Sequence, residues 1–333
     1  MIFYAADFIR ATERGHYPRL KAAPPKHVLA SAGPLILKLP QKITQGIQIR
    51  SEAERKAACR RILRGRRATG CQLVVDSGVY GLMAKACIFD NVQTNSRTKF
   101  DFDRIRMGNT AAFWIAKPRN LIEYSRAYYE HIIPMLWDEI DWFVETDLHH
   151  VVPDIEEHRE IAKAAGVWDK IMLVDHLGDA GTFSAMLDRC PRWSLPAYDL
   201  EAEPWRVTML YKKQCTLHGL GISAPDELLH VPYHSIDSTK WAAPRIWGRL
   251  DRWNPYTKRL EIVPVSRRCP YWHDWRRVHG DVDPMALYGL PEAISEEAID
   301  VLLVEQLHQY DLMMKDVTDY WRERGVEDSS QES

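Results

Sequence analysis

Two aspartates sit where a carboxylate can do chemistry. In Val74-Val75-Asp76-Ser77-Gly78 an apolar run delivers a carboxylate to a turn, and Gly78 lets the backbone approach a ligand closely. A longer string runs His218-Gly219-Leu220-Gly221-Ile222, then Pro225-Asp226-Glu227-Leu228-Leu229, then Ser235-Ile236-Asp237-Ser238-Thr239. It reads as strand, glycine turn, short helix, strand, aspartate. Two carboxylates close together push their proton affinities apart, so each can take a separate role. Each aspartate also has a plainer reading: Asp76 as a helix cap or turn residue, Asp237 as the head of an Asp-Ser turn.

Such side chains need strands to carry them. Candidate strands are HVLASAG at 27–33, CQLVVDS at 71–77, DWFVETD at 141–147, KIMLVDH at 170–176, WSLPAYD at 193–199, CTLHGLG at 215–221 and PYHSIDS at 232–238. Between them, residues 120–137 place Leu121, Ile122, Tyr124, Tyr128, Ile132 and Leu136 at helical spacing, and 154–165, 179–189 and 224–229 read as further helices. From residue 141 onward, strand starts lie about 20–30 residues apart, the size of a βα unit. Strands alternating with helices predict a parallel sheet. Many strands end in an acid: Asp76, Asp147, Asp175, Asp199 and Asp237. In a closed barrel such ends line one mouth. The predicted fold is therefore α/β, a (β/α)8 TIM-like barrel over residues 1–290, a C-terminal helix over 291–325 and a disordered polar tail over 326–333. Asp175 and Asp199 read more simply as helix N-caps after strands. The helical pattern from Ile294 to Arg324 is expected to pack on the barrel or on a second copy in a homodimer.

A chain of 333 residues, 46% of them hydrophobic, can bury one barrel-sized core. Its net charge of −2 excludes no partner by itself. The cysteines Cys59, Cys71, Cys87, Cys190, Cys215 and Cys269 are scattered and form no C-x-x-C pair. That predicts reduced thiols rather than a disulfide framework. Charges fall too early in the first twenty residues for a signal peptide, and there is no apolar run of the roughly 18 residues a membrane span needs. A cytoplasmic protein without membrane contact is expected.

These motifs resemble the tRNA-guanine transglycosylases and their relatives that act on DNA. The family's DSGG-type motif is matched by Asp76-Ser77-Gly78. Its glycine segment ending in Leu-Leu, with an aspartate at the next strand end, is matched by Gly219 to Leu229 and Asp237. Gly248 matches a glycine eleven residues further on, and Asp141 to Asp147 a strand bracketed by aspartates. The resemblance spans residues 70–250 and is nearest to short, divergent members found beside phage DNA-modification functions. It implies cleavage of the N-glycosidic bond between a nucleobase and its sugar. That reaction develops oxocarbenium character at C1′, which a nearby carboxylate can stabilise or bond. By resemblance Asp237 is the nucleophile and Asp76 the acid/base group. Asp147 reads the Watson–Crick edge of the base, with Glu145 as its substitute. Ser77, Gly78, Gly219 and Gly221 complete the base site.

The chain departs from the family in two places. The family's zinc cluster has no counterpart, since only Cys269, His273 and His279 stand in that region, so no zinc or other cofactor is expected. The family's tRNA-touching segment after the nucleophile is replaced by Ser238 to Arg245, with Lys240 and Arg245 as its cations. This favours DNA, single-stranded or with a flipped base, over tRNA. Two basic segments fit a polynucleotide. One, over 50–67, carries Arg60, Arg61, Arg64, Arg66 and Arg67; the other, over 266–279, carries Arg268, Trp272, Arg276 and Arg277. The leading expectation is base exchange with a free nucleobase. The alternatives are a DNA glycosylase that leaves an abasic site, suited to anti-phage defence, then tRNA base exchange, and a non-catalytic nucleic-acid-binding barrel. A metal-dependent barrel hydrolase using His149, His150, Asp175 and His176 lacks the H-x-H strand pattern such sites carry.

Overall fold

The apolar runs become strands. In the computed structural model these are β1 (Ile2–Ala6), β2 (His27–Ser31), β3 (Leu37–Lys38), β4 (Gln48–Ile49), β5 (Gln72–Asp76), β6 (Phe143–Val144), β7 (Ile171–Val174), β8 (Arg192–Pro196), β9 (Thr216–Leu220), β10 (Ser235–Ser238), β11 (Arg249–Asn254) and β12 (Arg259–Pro264). Eight of them close a barrel in the order β1-β10-β9-β8-β7-β6-β5-β2, the expected α/β architecture. All seven strands expected from sequence are present. The eighth, β1, is not among the expected strands: IFYAA has no alternation and no acidic end, and it is its place in the closed barrel, with Tyr4 opposite Asp237 of β10, that defines it as a barrel strand. The structure describes residues 1–6, 8–9, 17–38, 47–79, 82, 114–115, 117–148, 155–175, 183–184, 186–187, 190–196 and 204–326. Asp199, His149, His150, His176 and the tail from residue 327 lie outside them, as does most of the expected helix at 179–189.

The chain divides into two compact units, one of residues 29–216 and one of residues 1–28 with 217–333. In the first, the 18-residue helix Glu52–Thr69 opens with a capping box, Ser51 and Glu54 each serving the other's backbone N–H, and stops at Gly70 in the left-handed conformation. Helix Pro118–Arg126 passes through a π-helical stretch, Ala127–Ile132, into Ile133–Leu136. Within this wider turn two consecutive tyrosines, Tyr128 and Tyr129, are both buried. Tyr128 Oη donates to Val144 O (2.9 Å) or Val75 O (3.1 Å), so one phenol sits between the ends of β5 and β6.

In the second unit, helix Glu296–Arg322 fulfils the expected C-terminal helix. Ser295 caps it, Glu296 and Glu297 fill its first turn, and Leu302, Leu303, Gln306, Leu307, Tyr310, Met313, Met314 and Val317 form a buried stripe. Tyr310 stacks on Phe3 of β1 at 4.7 Å, and Asp300 accepts the backbone N–H groups of Arg19 and Leu20. The β11–β12 hairpin, also unanticipated, turns on Asn254, whose side chain accepts from the backbone of Tyr256 and Thr257. Its edge is closed by side chains of the long helix: Gln306 bonds both backbone groups of Asp251, and Gln309 accepts from Trp253 N. No helix among the described residues is long and apolar enough to cross a membrane.

Candidate active site

Asp237 lies on β10, two residues after Ser235, so the two side chains share a face. In the parallel register Ser235 sits opposite His218 of β9. The imidazole therefore falls between two neighbours on the adjacent strand. Its Nδ1 is 2.8 Å from Ser235 Oγ and its Nε2 is 3.2 Å from Asp237 Oδ1. The ring is fully buried, with Tyr4 edge-on at 5.9 Å. Gly221 N donates to the same Asp237 oxygen at 3.0 Å. Gly221 adopts φ +68°, a left-handed backbone conformation that glycine takes freely. Asp237 is 8% exposed, and its Oδ2 accepts no hydrogen bond from the described residues. The carboxylate is thus held by one oxygen and presents the other. Gly219 is close-packed: a Cβ there would come within 2.8 Å of Ile222 Cδ1.

Asp76 ends β5, and Gly78 N donates to its Oδ2 at 3.0 Å. Gly78 stands at φ +79°, and a Cβ there would lie 2.2 Å from Gly33 N and 2.7 Å from Ser31 Oγ. No other residue fits this crossing of two strand ends. Ser77 is buried, and its Oγ has no hydrogen-bond partner among the described residues. Its carbonyl accepts from Tyr124 Oη at 2.5 Å. Burial, reinforced by the negative charge of Asp76, holds the Tyr124 phenol well above its ordinary range, so it remains a neutral donor.

The two base-reading candidates differ sharply. Glu145 is fully buried and spent on structure: Arg159 Nε lies 2.6 Å from one oxygen and Nη2 3.3 Å from the other, which also accepts Val174 N at 3.0 Å. Thr146 is pinned as well, its N–H donating to Tyr129 Oη at 2.9 Å. Asp147 follows these two fixed residues and is only half-buried. Asp175, expected as a helix cap, forms a buried ion pair with Arg206 at 2.5 Å. That partner comes from a helix some thirty residues later, which no local pattern announces, and the residues a cap would serve lie outside the described part.

Much of the first basic segment is already occupied. Arg66 and Arg67 both pair with Glu139, and the helix carrying them leads through Gly70 into the start of β5, the end remote from Asp76. Arg60, Arg61 and Arg64 are exposed along that helix. In the second segment Trp272 packs on the core around Leu250 and Val263, while Arg276 pairs with Asp281 and Arg277 with Asp274. Lys240 is half-buried, Arg245 lies over the Tyr17 ring at 5.6 Å, and Arg268 is exposed. Cys269 is buried, and burial raises its thiol. Among the described residues no group of three His, Cys, Asp or Glu side chains is placed to hold a metal ion.

Sequence reasoning singled out Asp237 but not its partners His218 and Ser235. The signal was the shared face of Ser235 and Asp237; the missing step was the register that sets His218 opposite them. No protein-family model matches the chain, and no curated protein matches it.

Proposed function

We propose that this protein cleaves the N-glycosidic bond of a nucleobase in DNA and exchanges the base, with Asp237 as nucleophile and Asp76 as acid/base group. The observation that carries the proposal is the one-sided anchoring of Asp237: two donors on Oδ1 and none on Oδ2 from the described residues. Holding a nucleophile in one orientation removes entropy that the reaction would otherwise spend, and effective molarities show how large that gain can be. Asp237 Oδ2 attacks C1′ as the C–N electron pair leaves with the base. Asp76 supplies the proton that the departing base needs. A ring nitrogen of an incoming base then attacks C1′, loses its proton to Asp76 and frees the Asp237 carboxylate. Asp147 supports base reading better than Glu145, because both Glu145 oxygens are engaged by Arg159. A closed parallel barrel opens the C-terminal ends of its strands on one mouth, where catalytic groups of such folds gather.

The test uses phage DNA with natural and hypermodified bases, incubated with a labelled free nucleobase. Base exchange incorporates the label and leaves the strand resistant to alkali. Released base with alkali-labile sites would replace exchange by hydrolysis to an abasic site. No release or incorporation from any polymer, with wild type and Asp237→Ala alike, would reject the catalytic reading.

A further inference from the structure

The segment from Lys240 to Gly280 holds ten Lys and Arg against three Asp and Glu, in a chain whose net charge is −2. It leaves the barrel after β10, passes through helix Ala243–Trp247, folds as the β11–β12 hairpin and ends in helix Trp272–His279. Gly248 makes its tightest crossing. The residue has φ +61°, a Cβ there would meet Ser266 Cβ at 2.6 Å, and its carbonyl accepts Val265 N at 2.9 Å. Only glycine lets residues 247–249 lie against the chain leading to Tyr271.

That crossing assembles Trp247, Arg249 and Tyr271. The guanidinium carbon of Arg249 lies 4.9 Å from the Trp247 ring centroid and 5.6 Å from that of Tyr271. Buried Asp251 fixes the guanidinium. Its Oδ2 accepts from Nη2 at 3.3 Å, and its Oδ1 makes an ionic contact with Nε at 3.0 Å, out of line for a hydrogen bond. Both rings remain open to solvent, 38% and 40% exposed. In the same segment Arg245, Arg252, Arg267 and Arg268 are exposed and have no carboxylate partner among the described residues. Exposed aromatic rings attract flat apolar groups, and cations without a carboxylate partner attract phosphates. One ligand offers both along its length: a nucleic-acid strand with unstacked bases. A duplex stacks its bases internally and shows none of them to a ring.

We propose that Trp247, Arg249 and Tyr271 form a stacking platform that holds unpaired bases of a single DNA strand. Its occupant rests on the DNA reading above; its geometry does not. The test measures fluorescence anisotropy of a labelled DNA strand, its duplex and the RNA strand of the same sequence. The Asp237→Asn background prevents turnover during the measurement. Trp247→Ala with Tyr271→Ala weakens single-strand DNA binding by about tenfold to a hundredfold. The salt slope stays unchanged, since no cation is removed. Trp247→Phe with Tyr271→Phe keeps a stacking face and retains most of the affinity. The platform is overturned if the alanine pair binds the DNA strand like its parent. It is equally overturned if duplex and strand weaken together, if the phenylalanine pair fails as badly as alanine, or if the parent binds only the RNA strand. Strand binding that follows these expectations without base exchange in the wild type would count against the proposed reaction alone.

Discussion

At the scale of single residues, one carboxylate and its holder stand at the centre of the proposed site. His218 bonds Asp237 Oδ1 and is itself steadied by Ser235. In the proposed reaction it would act as a positioning residue, so its loss should reach the chemical step rather than substrate capture. His218→Ala is expected to lower kcat by about a hundredfold, the order found when a reacting group is misplaced, with KM little changed. His218→Gln restores an N–H donor and should recover part of the rate. Steady-state kinetics of the three forms checks this; a rise in KM at constant kcat would assign His218 to binding instead. Asp76 and Asp237 were legible because each ends or nearly ends an apolar run. His218 was not, because its role depends on a strand register that no local pattern encodes. The engagement of Glu145 was hidden for a related reason: a carboxylate near a strand end looks alike whether it reads a base or neutralises a buried arginine.

At the scale of elements, that arginine fastens helix Glu156–Ala164 to the end of β6. Both partners are almost wholly buried, so removing one strands a charge without water. Arg159→Leu is expected to cost about 3–5 kcal/mol of unfolding free energy, while Arg159→Leu with Glu145→Met should recover much of it. Urea unfolding of the single and double variants tests this, and equal losses in both would show that the pair is not coupled. Strand positions were well read from sequence, because acidic ends and turn glycines punctuate them. The first strand, the β11–β12 hairpin and the π-helical stretch were missed. IFYAA becomes a barrel strand through its partner β10, and the π turn is seen only in where Tyr128 and Tyr129 point. The hairpin hid among basic residues that read as a charged segment.

At the scale of the whole molecule, the closed barrel buries a set of tyrosines that must stay neutral. Burial raises the phenols of Tyr124, Tyr128, Tyr129, Tyr233 and Tyr310 above the ordinary value of 10.0. A raised folded-state pKa gives stability that is full below the unfolded pKa and is lost as pH rises towards the folded one. The fold should therefore hold to about pH 10 and then fail cooperatively. Absorbance at the tyrosinate band should rise together with loss of far-ultraviolet ellipticity; ionisation of these phenols with the fold intact would contradict their burial. The central claim is that Asp237 bonds C1′, and its most direct measurement is mass spectrometry of acid-quenched single-turnover mixtures with a DNA substrate. The expected result is a sugar-linked adduct on the peptide containing Asp237 that forms and decays at the rate of base exchange and is absent from Asp237→Ala. Base exchange at the wild-type rate by Asp237→Ala, or an adduct on another residue, would contradict it.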